Sequence, residues 1–138
     1  MGRIRMDNLI SYLVNYGFDR GISTTLTEKL PPHFPSSASS KYQKVLINMN
    51  WYNQWEVPFS LAHELGHLIN HDQGINYYHS ETVHTKTEYQ ANCTAIDILL
   101  KYCHKNDIAI TNPVTFCEKF GVPACLEYTV GLKLKNIM

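Results

Sequence analysis

The sequence lacks the features that mark several large classes of protein. Its 12 basic and 12 acidic side chains cancel, so the chain carries no excess charge that would attract nucleic acid or anionic lipid. It contains no apolar run near the roughly 20 residues that a membrane-spanning helix needs. The four cysteines form no CxxC pair, and their spacing does not match a structural zinc ribbon. We therefore expect reduced, partly buried thiols, as in most cytoplasmic proteins.

The N-terminal segment MGRIRMDNLISYLVNYGF also lacks signals for export or lipid attachment. Polar residues interrupt its apolar positions, and no small-residue cleavage site follows. Met6 stands where a myristoylation signal would have serine or threonine. The segment predicts a folded amphipathic helix over about residues 5–17 and, by default, a cytoplasmic protein.

The sequence otherwise has the composition of an ordinary globular protein. The 138 residues are 44% hydrophobic and 17% charged, which favours one domain over residues 1–138 with a core of its own. Local patterns predict these segments in chain order: strand 21–27, a proline- and serine-rich loop 30–40, strand 44–50, a helix from Pro58, a loop 72–84, a helix 86–104, and a helix-turn-helix-like hairpin at about 112–135. We interpret the second strand as a sheet edge and the loop 30–40 as a flap. The predicted fold class is α+β, with a short sheet packed on helices.

The stretch FSLAHELGHLINH, residues 59–71, is the most informative part of the sequence. Residues four apart on a helix lie on one face with Cβ atoms about 5–6 Å apart, so His63 and His67 can bind one metal ion. Glu64 then points beside the ion, where it can take a proton from a metal-activated water. This is the H-E-x-x-H arrangement of zinc metallopeptidases. The alternative is a solvated helix face that holds two histidines by chance.

A catalytic zinc needs a third protein ligand and an open position for water. The downstream candidates are His71, His79, Glu81, His84 and Glu88. Glu88 is the best placed, because it begins the next helix in the string TEYQANCTAIDILL, and Asn92 one turn later can hydrogen-bond a ligand histidine. An exposed first-turn acid, favoured by the helix dipole, is the other interpretation of Glu88.

These motifs resemble the ImmA/IrrE family of metallopeptidases. The resemblance rests on AHELGHLINH at 62–71, E-x-x-A-N at 88–92 and A-x-x-x-L at 95–99, and it covers about residues 40–100. It implies a small zincin-like domain with the HExxH helix at its centre. It also implies Zn²⁺ on His63, His67 and Glu88, a gluzincin-like set, with Glu64 as the catalytic base.

The chain departs from the family pattern at Gln90, Thr94 and Lys101, none of which is a predicted ligand. The resemblance implies a protein substrate, because members of the family cleave DNA-binding repressors of prophages or mobile elements inside bacteria. We therefore expect a zinc endopeptidase of the phage or mobile-element type. A substrate strand could pair with residues 45–49.

Two features of the expected enzyme stay open. Aromatic and histidine side chains between the two ligand helices are candidates to stabilise the oxyanion, and they are Tyr77, Tyr78, His79 and His84. The C-terminal hairpin carries a net charge of only +1, which favours a packing or docking role over DNA binding. The alternative function is a zinc-stabilised module that captures a repressor without cutting it.

Overall fold

A four-stranded sheet forms one layer of the molecule. The computed structural model describes residues 6–71, 75–77 and 86–137. The strands are β1 (Ser23–Thr27), β2 (Ser37–Ser39), β3 (Lys44–Asn48) and β4 (Ile75–Tyr77). Their spatial order is β1-β3-β2-β4, with β1 parallel to β3 and the other pairs antiparallel.

Five α-helices accompany the sheet in the described residues. They are α1 (Met6–Phe18), α2 (Val57–Ile69), α3 (Lys86–Lys105), α4 (Pro113–Phe120) and α5 (Glu127–Ile137). The arrangement confirms the predicted α+β class and the helical hairpin near the C-terminus. Within the described part of the chain, no helix is long and apolar enough to cross a membrane.

Helix α2 is the centre of the structure. It contacts α1, α3, β2, β3 and β4, and every residue from Val57 to Leu68 is buried. Sequence periodicity predicted one apolar stripe, with His63, Glu64 and His67 on an adjoining face. That face is buried as well, because α3 packs over it. The three polar side chains therefore lie inside the protein, at 0% exposure.

The sheet differs from the prediction in three places. The predicted edge strand 44–50 is β3, which lies between β1 and β2, so the edge assignment was wrong. The predicted loop 30–40 contains β2, and the predicted loop 72–84 contains β4. Both strands are three residues long, and their pairing with distant segments defines them, which local sequence does not report.

The proline-rich segment before β2 is anchored to the sheet. The Asn48 Nδ2 donates to the carbonyl oxygens of Pro31 at 2.8 Å and Phe34 at 2.9 Å. The backbone N–H of Asn48 donates to the Ser36 Oγ at 2.9 Å, and Asn48 is itself 1% exposed. These bonds tie the segment to β3, which argues against the predicted flap.

The C-terminal hairpin packs on the same core as the helices before it. Its buried side chains are Phe116, Cys117, Phe120, Val122, Leu126, Val130 and Leu134. Gly121 ends α4 in the left-handed conformation, with φ of 68°, and a Cβ there would overlap the Trp55 carbonyl oxygen. The Trp55 indole Nε1 in turn donates to the Glu118 carbonyl. The hairpin is thus fitted closely against the turn that precedes α2.

All four cysteines are free, as predicted. Burial raises the pKa of the Cys103 and Cys117 thiols to about 12. Thiols with such values are inert core groups at neutral pH.

Candidate metal centre

Two histidines on α2 form the first half of the centre. His63 and His67 are one helical turn apart, and their ring centroids are 4.8 Å apart at an interplanar angle of 89°. Pro58 lies in the first turn of the helix, where its missing N–H breaks no hydrogen bond. Helix α2 is thus regular through the turn that holds His63 and His67.

Glu88 in the first turn of α3 completes the group. Its Oε1 lies 2.9 Å from the His63 Nε2, and its Oε2 lies 2.8 Å from the His67 Nε2. The potential ligand atoms of these three residues all lie within 4.8 Å of one another. Glu88 is 6% exposed, so it is not the solvated first-turn acid of the alternative interpretation.

A glycine sets the distance between the two helices. A Cβ at Gly66 would lie 2.8 Å from the Ala91 carbonyl oxygen and 3.4 Å from the Ala91 Cα. Such contacts are too short for any side chain, so the α3 backbone passes directly over Gly66. Thr94 and Asn70 add a hydrogen bond of 2.9 Å between the same helices. Sequence reasoning missed the role of Gly66, although a glycine inside a buried helix is a signal for close packing.

Asn92 orients one of the histidines. Its Oδ1 lies 2.7 Å from the His63 Nδ1, and Asn92 is 0% exposed. An amide oxygen only accepts hydrogen bonds, so Nδ1 carries a proton, and Nε2 is the nitrogen left to bind a metal ion. The geometry agrees with the predicted supporting role of Asn92.

The electrostatics favour a deprotonated ligand set. Burial lowers the pKa of His63, and the neighbouring His67 lowers it further, against the opposing effect of Glu88. Burial by itself would raise the pKa of Glu88, but hydrogen bonds and attraction from both histidines lower it to about 2. A neutral imidazole and an ionised carboxylate are the forms that bind metal ions.

Glu64 lies beside this group in an unusual environment. It is 0% exposed, and neither carboxylate oxygen has a hydrogen-bond partner in the described structure. Burial, and then the negative charge of Glu88, raise its pKa well above its ordinary value. A buried carboxyl group without partners is costly for the fold. An unpaired carboxyl group is also expected of a general base whose proton donor is present only when metal and substrate are bound.

The other predicted site residues are not brought into this group by the described structure. His71 follows the C-cap of α2 with a φ of 64° and is exposed, and its ligand atoms are not among the converging set. Tyr77 is the last residue of β4. Tyr78, His79, Glu81 and His84 lie outside the described residues, so their predicted roles remain predictions.

The residues present fit a divalent metal ion. The set supplies two imidazole nitrogens and one carboxylate oxygen, all buried and within reach of one ion, with Asn92 behind one ligand. Three protein ligands of this kind, with a fourth position for water, are typical of catalytic zinc. Glu64, whose carboxylate has no hydrogen-bond partner among the described residues, is the residue that follows His63 on the same helix.

Comparison with known proteins agrees with this chemistry. A family model described as Peptidase_M78, IrrE N-terminal-like domain, matches residues 36–123. The match covers well over half of the chain and includes both helices of the centre. Searches of curated proteins and of solved structures find no match.

Proposed function

The chain belongs to the IrrE N-terminal-like domain family of metallopeptidases, and from this premise we propose that it is a zinc-dependent endopeptidase. The observation that supports the proposal is the convergence of His63, His67 and Glu88 beside the buried carboxylate of Glu64, which has no hydrogen-bond partner among the described residues. His63, His67 and Glu88 bind the ion, and the Glu64 carboxylate accepts and donates the proton. A buried carboxyl group with a perturbed pKa and no hydrogen-bond partner among the described residues is typical of functional sites.

The proposed reaction is hydrolysis of a peptide bond. When bound, the zinc ion supplies Lewis-acid chemistry that polarises the water and the scissile carbonyl. Glu64 takes a proton from the attacking water and later delivers it to the leaving amine. Burial raises the pKa of Glu64, which makes its carboxylate a stronger base than an exposed one. Asn92 keeps the His63 ring fixed throughout.

We propose that the substrate binds as an extended strand. The predicted partner strand β3 is unsuitable, because β1 and β2 already occupy both of its sides. In the part of the chain that the structure describes, the free sheet edge that contacts α2 is that of β4, so we propose that the substrate backbone pairs there by strand addition. The proposed substrate class is a DNA-binding repressor of a prophage or mobile element in the bacterial cytoplasm. The support for that class is the resemblance of residues 62–71 and 88–99 to the ImmA/IrrE pattern.

The test is a comparison of wild type with Glu64→Gln. Glutamine keeps the size of the side chain and removes its basicity. We expect the variant to keep its zinc and to lose cleavage by a factor of at least about 10²–10⁴, the usual contribution of a general base. Substrate cleavage is followed by electrophoresis and mass spectrometry, and metal by elemental analysis.

The same comparison separates the enzyme from the binding module. Cleavage by Glu64→Gln at the wild-type rate would contradict the proposed mechanism. An intact repressor bound equally by both proteins, with no cleavage by either, would instead favour capture without cutting. Glu56→Gln is the matched control, because Glu56 lies before α2 and its carboxylate accepts a hydrogen bond from the Trp51 indole.

A further inference from the structure

Among the described residues, the sheet has a second free edge, at β1, on the side opposite β4. The parallel register of β1 and β3 determines which backbone groups of β1 are already used. The Ser23 N–H donates to the Gln43 carbonyl at 3.0 Å, and the Thr27 carbonyl accepts from the Met49 N–H at 2.7 Å. In a parallel ladder such residues alternate. Ser23, Thr25 and Thr27 therefore bond to β3, whereas Thr24 and Leu26 direct their N–H and C=O groups away from the sheet.

Within the described residues, this edge lacks proline, charged side chains and a bulge, which are three common protections against strand pairing. β1 reads STTLT and contains no proline or charged residue, and its residues pair with β3 one to one without a bulge. Leu26 is 42% exposed, and the buried Thr24 Oγ1 has no hydrogen-bond partner in the described structure. Natural proteins usually block such edges, because exposed backbone groups bind other strands.

We propose that β1 pairs with β1 of a second copy of this chain, antiparallel across a twofold axis. In an antiparallel ladder, residues whose backbone groups point outward exchange two hydrogen bonds with the residue opposite. Placing Thr24 opposite the partner's Leu26 uses every outward group and forms four hydrogen bonds. Placing Thr24 opposite the partner's Thr24, or Leu26 opposite the partner's Leu26, forms only two. All three registers are symmetric about a twofold axis, and the Thr24–Leu26 register forms the most bonds within β1.

Side chains and charges suit the same register. Leu26 of each copy lies beside Thr24 of the other, which covers exposed apolar surface. Thr25 faces its own symmetry mate, and facing threonines are a favourable cross-strand pair. The exposed flanks match as well: Asp19 and Arg20 precede β1, and Glu28 and Lys29 follow it. Antiparallel pairing places one flank near the other, and since each flank carries one acid and one base, their charges balance.

The experiment measures the mass of the full chain by sedimentation velocity over a wide concentration range. Wild type should change reversibly from one chain to two as concentration rises. Leu26→Pro removes one outward N–H from each copy, without breaking a bond to β3, at a position where an edge strand accepts proline. We expect it to weaken the dimer by about tenfold or more. Leu26→Val keeps the N–H and should dimerise within about threefold of wild type.

Amide hydrogen exchange on wild type provides a second readout that does not depend on any variant folding. Protection of the Thr24 and Leu26 amides should rise with protein concentration, whereas that of Thr25, which bonds to β3, should not change. Wild type that remains a single chain at every concentration would overturn the proposal. Equal dimerisation by a folded Leu26→Pro would do the same. Zinc content should be equal in all three proteins, since the metal centre lies on α2 and α3.

Discussion

At the scale of single residues, the candidate metal centre consists of five side chains that are polar and buried. His63, Glu64, His67, Glu88 and Asn92 are all at most 6% exposed. Burial removes these groups from solvent, so their pKa values depend on one another. Groups with shifted pKa values are typical of the functional sites of hydrolases. The spacing within HExxH predicted that His63 and His67 would share one face of a helix, and the structure places them one turn apart on α2. The spacing could not predict that both histidines and Glu64 would lie inside the protein, because that depends on α3.

The first residue-scale prediction concerns Asn92. Asn92→Ala removes the acceptor 2.7 Å from the His63 Nδ1, so the ring loses its fixed orientation. We expect zinc affinity to fall by about 10–100-fold, the usual effect of losing such a partner, as measured by competition with a chromogenic chelator. Gln90→Ala, at an exposed position of the same helix, is the control and should bind zinc normally. Unchanged affinity in Asn92→Ala would show that the amide is not needed.

The second residue-scale prediction concerns pH and Glu64 in chelator-treated protein. The folded state raises the pKa of Glu64 above its ordinary value of 4.5, so the folded state holds this proton more tightly than the unfolded chain does. The stabilisation is complete below about pH 4.5 and is lost as pH rises through the folded pKa. Glu64→Gln cannot ionise, so its melting temperature should exceed that of wild type increasingly toward neutral pH.

Thermal melts of the two metal-free proteins at several pH values check this expectation. Glu88 has the opposite dependence, because its pKa is lowered to about 2, and it is therefore ionised in both folded proteins over the range from pH 4 to pH 8. A constant difference in melting temperature from pH 4 to pH 8 would mean that Glu64 is not held in a desolvated site.

At the scale of elements, the packing of α3 on α2 creates the site. The sequence predicted both helices nearly to their ends, because each has a clear helical period. It did not predict how close they lie, and Gly66 decides that distance. The short strands β2 and β4 were missed for a similar reason. SAS and INY have no local pattern, and only pairing with distant residues makes them strands.

The element-scale prediction is that Gly66→Ala moves α3 away from α2. Its new methyl group would meet the Ala91 carbonyl at 2.8 Å, so we expect a loss of about 1–3 kcal/mol in the free energy of unfolding and weaker zinc binding. Gly131→Ala is the matched control, since its Cβ would approach only the flexible Pro113 ring, at 3.3 Å. Urea denaturation measures stability in both variants. Normal stability and zinc affinity in Gly66→Ala would show that the contact between the helices is not critical.

At the scale of the whole molecule, one core connects the sheet, the central helix and the C-terminal hairpin. The hairpin buries its apolar face in that core, and one of its lysines, Lys133, lies 2.9 Å from Asp97 on α3. Pairing that lysine leaves less positive charge for phosphates, in agreement with a packing role. The prediction of a β3 edge failed at this scale, because the order of strands depends on contacts between distant parts of the chain.

The most direct test of the central claim is the metal content of purified protein, measured by elemental analysis on wild type and Glu88→Ala. We expect about one zinc ion per wild-type chain, held by two histidines and a glutamate. In Glu88→Ala we expect zinc binding to be lost or clearly weakened. A folded wild-type preparation that contains no metal and does not bind added zinc would contradict the central claim.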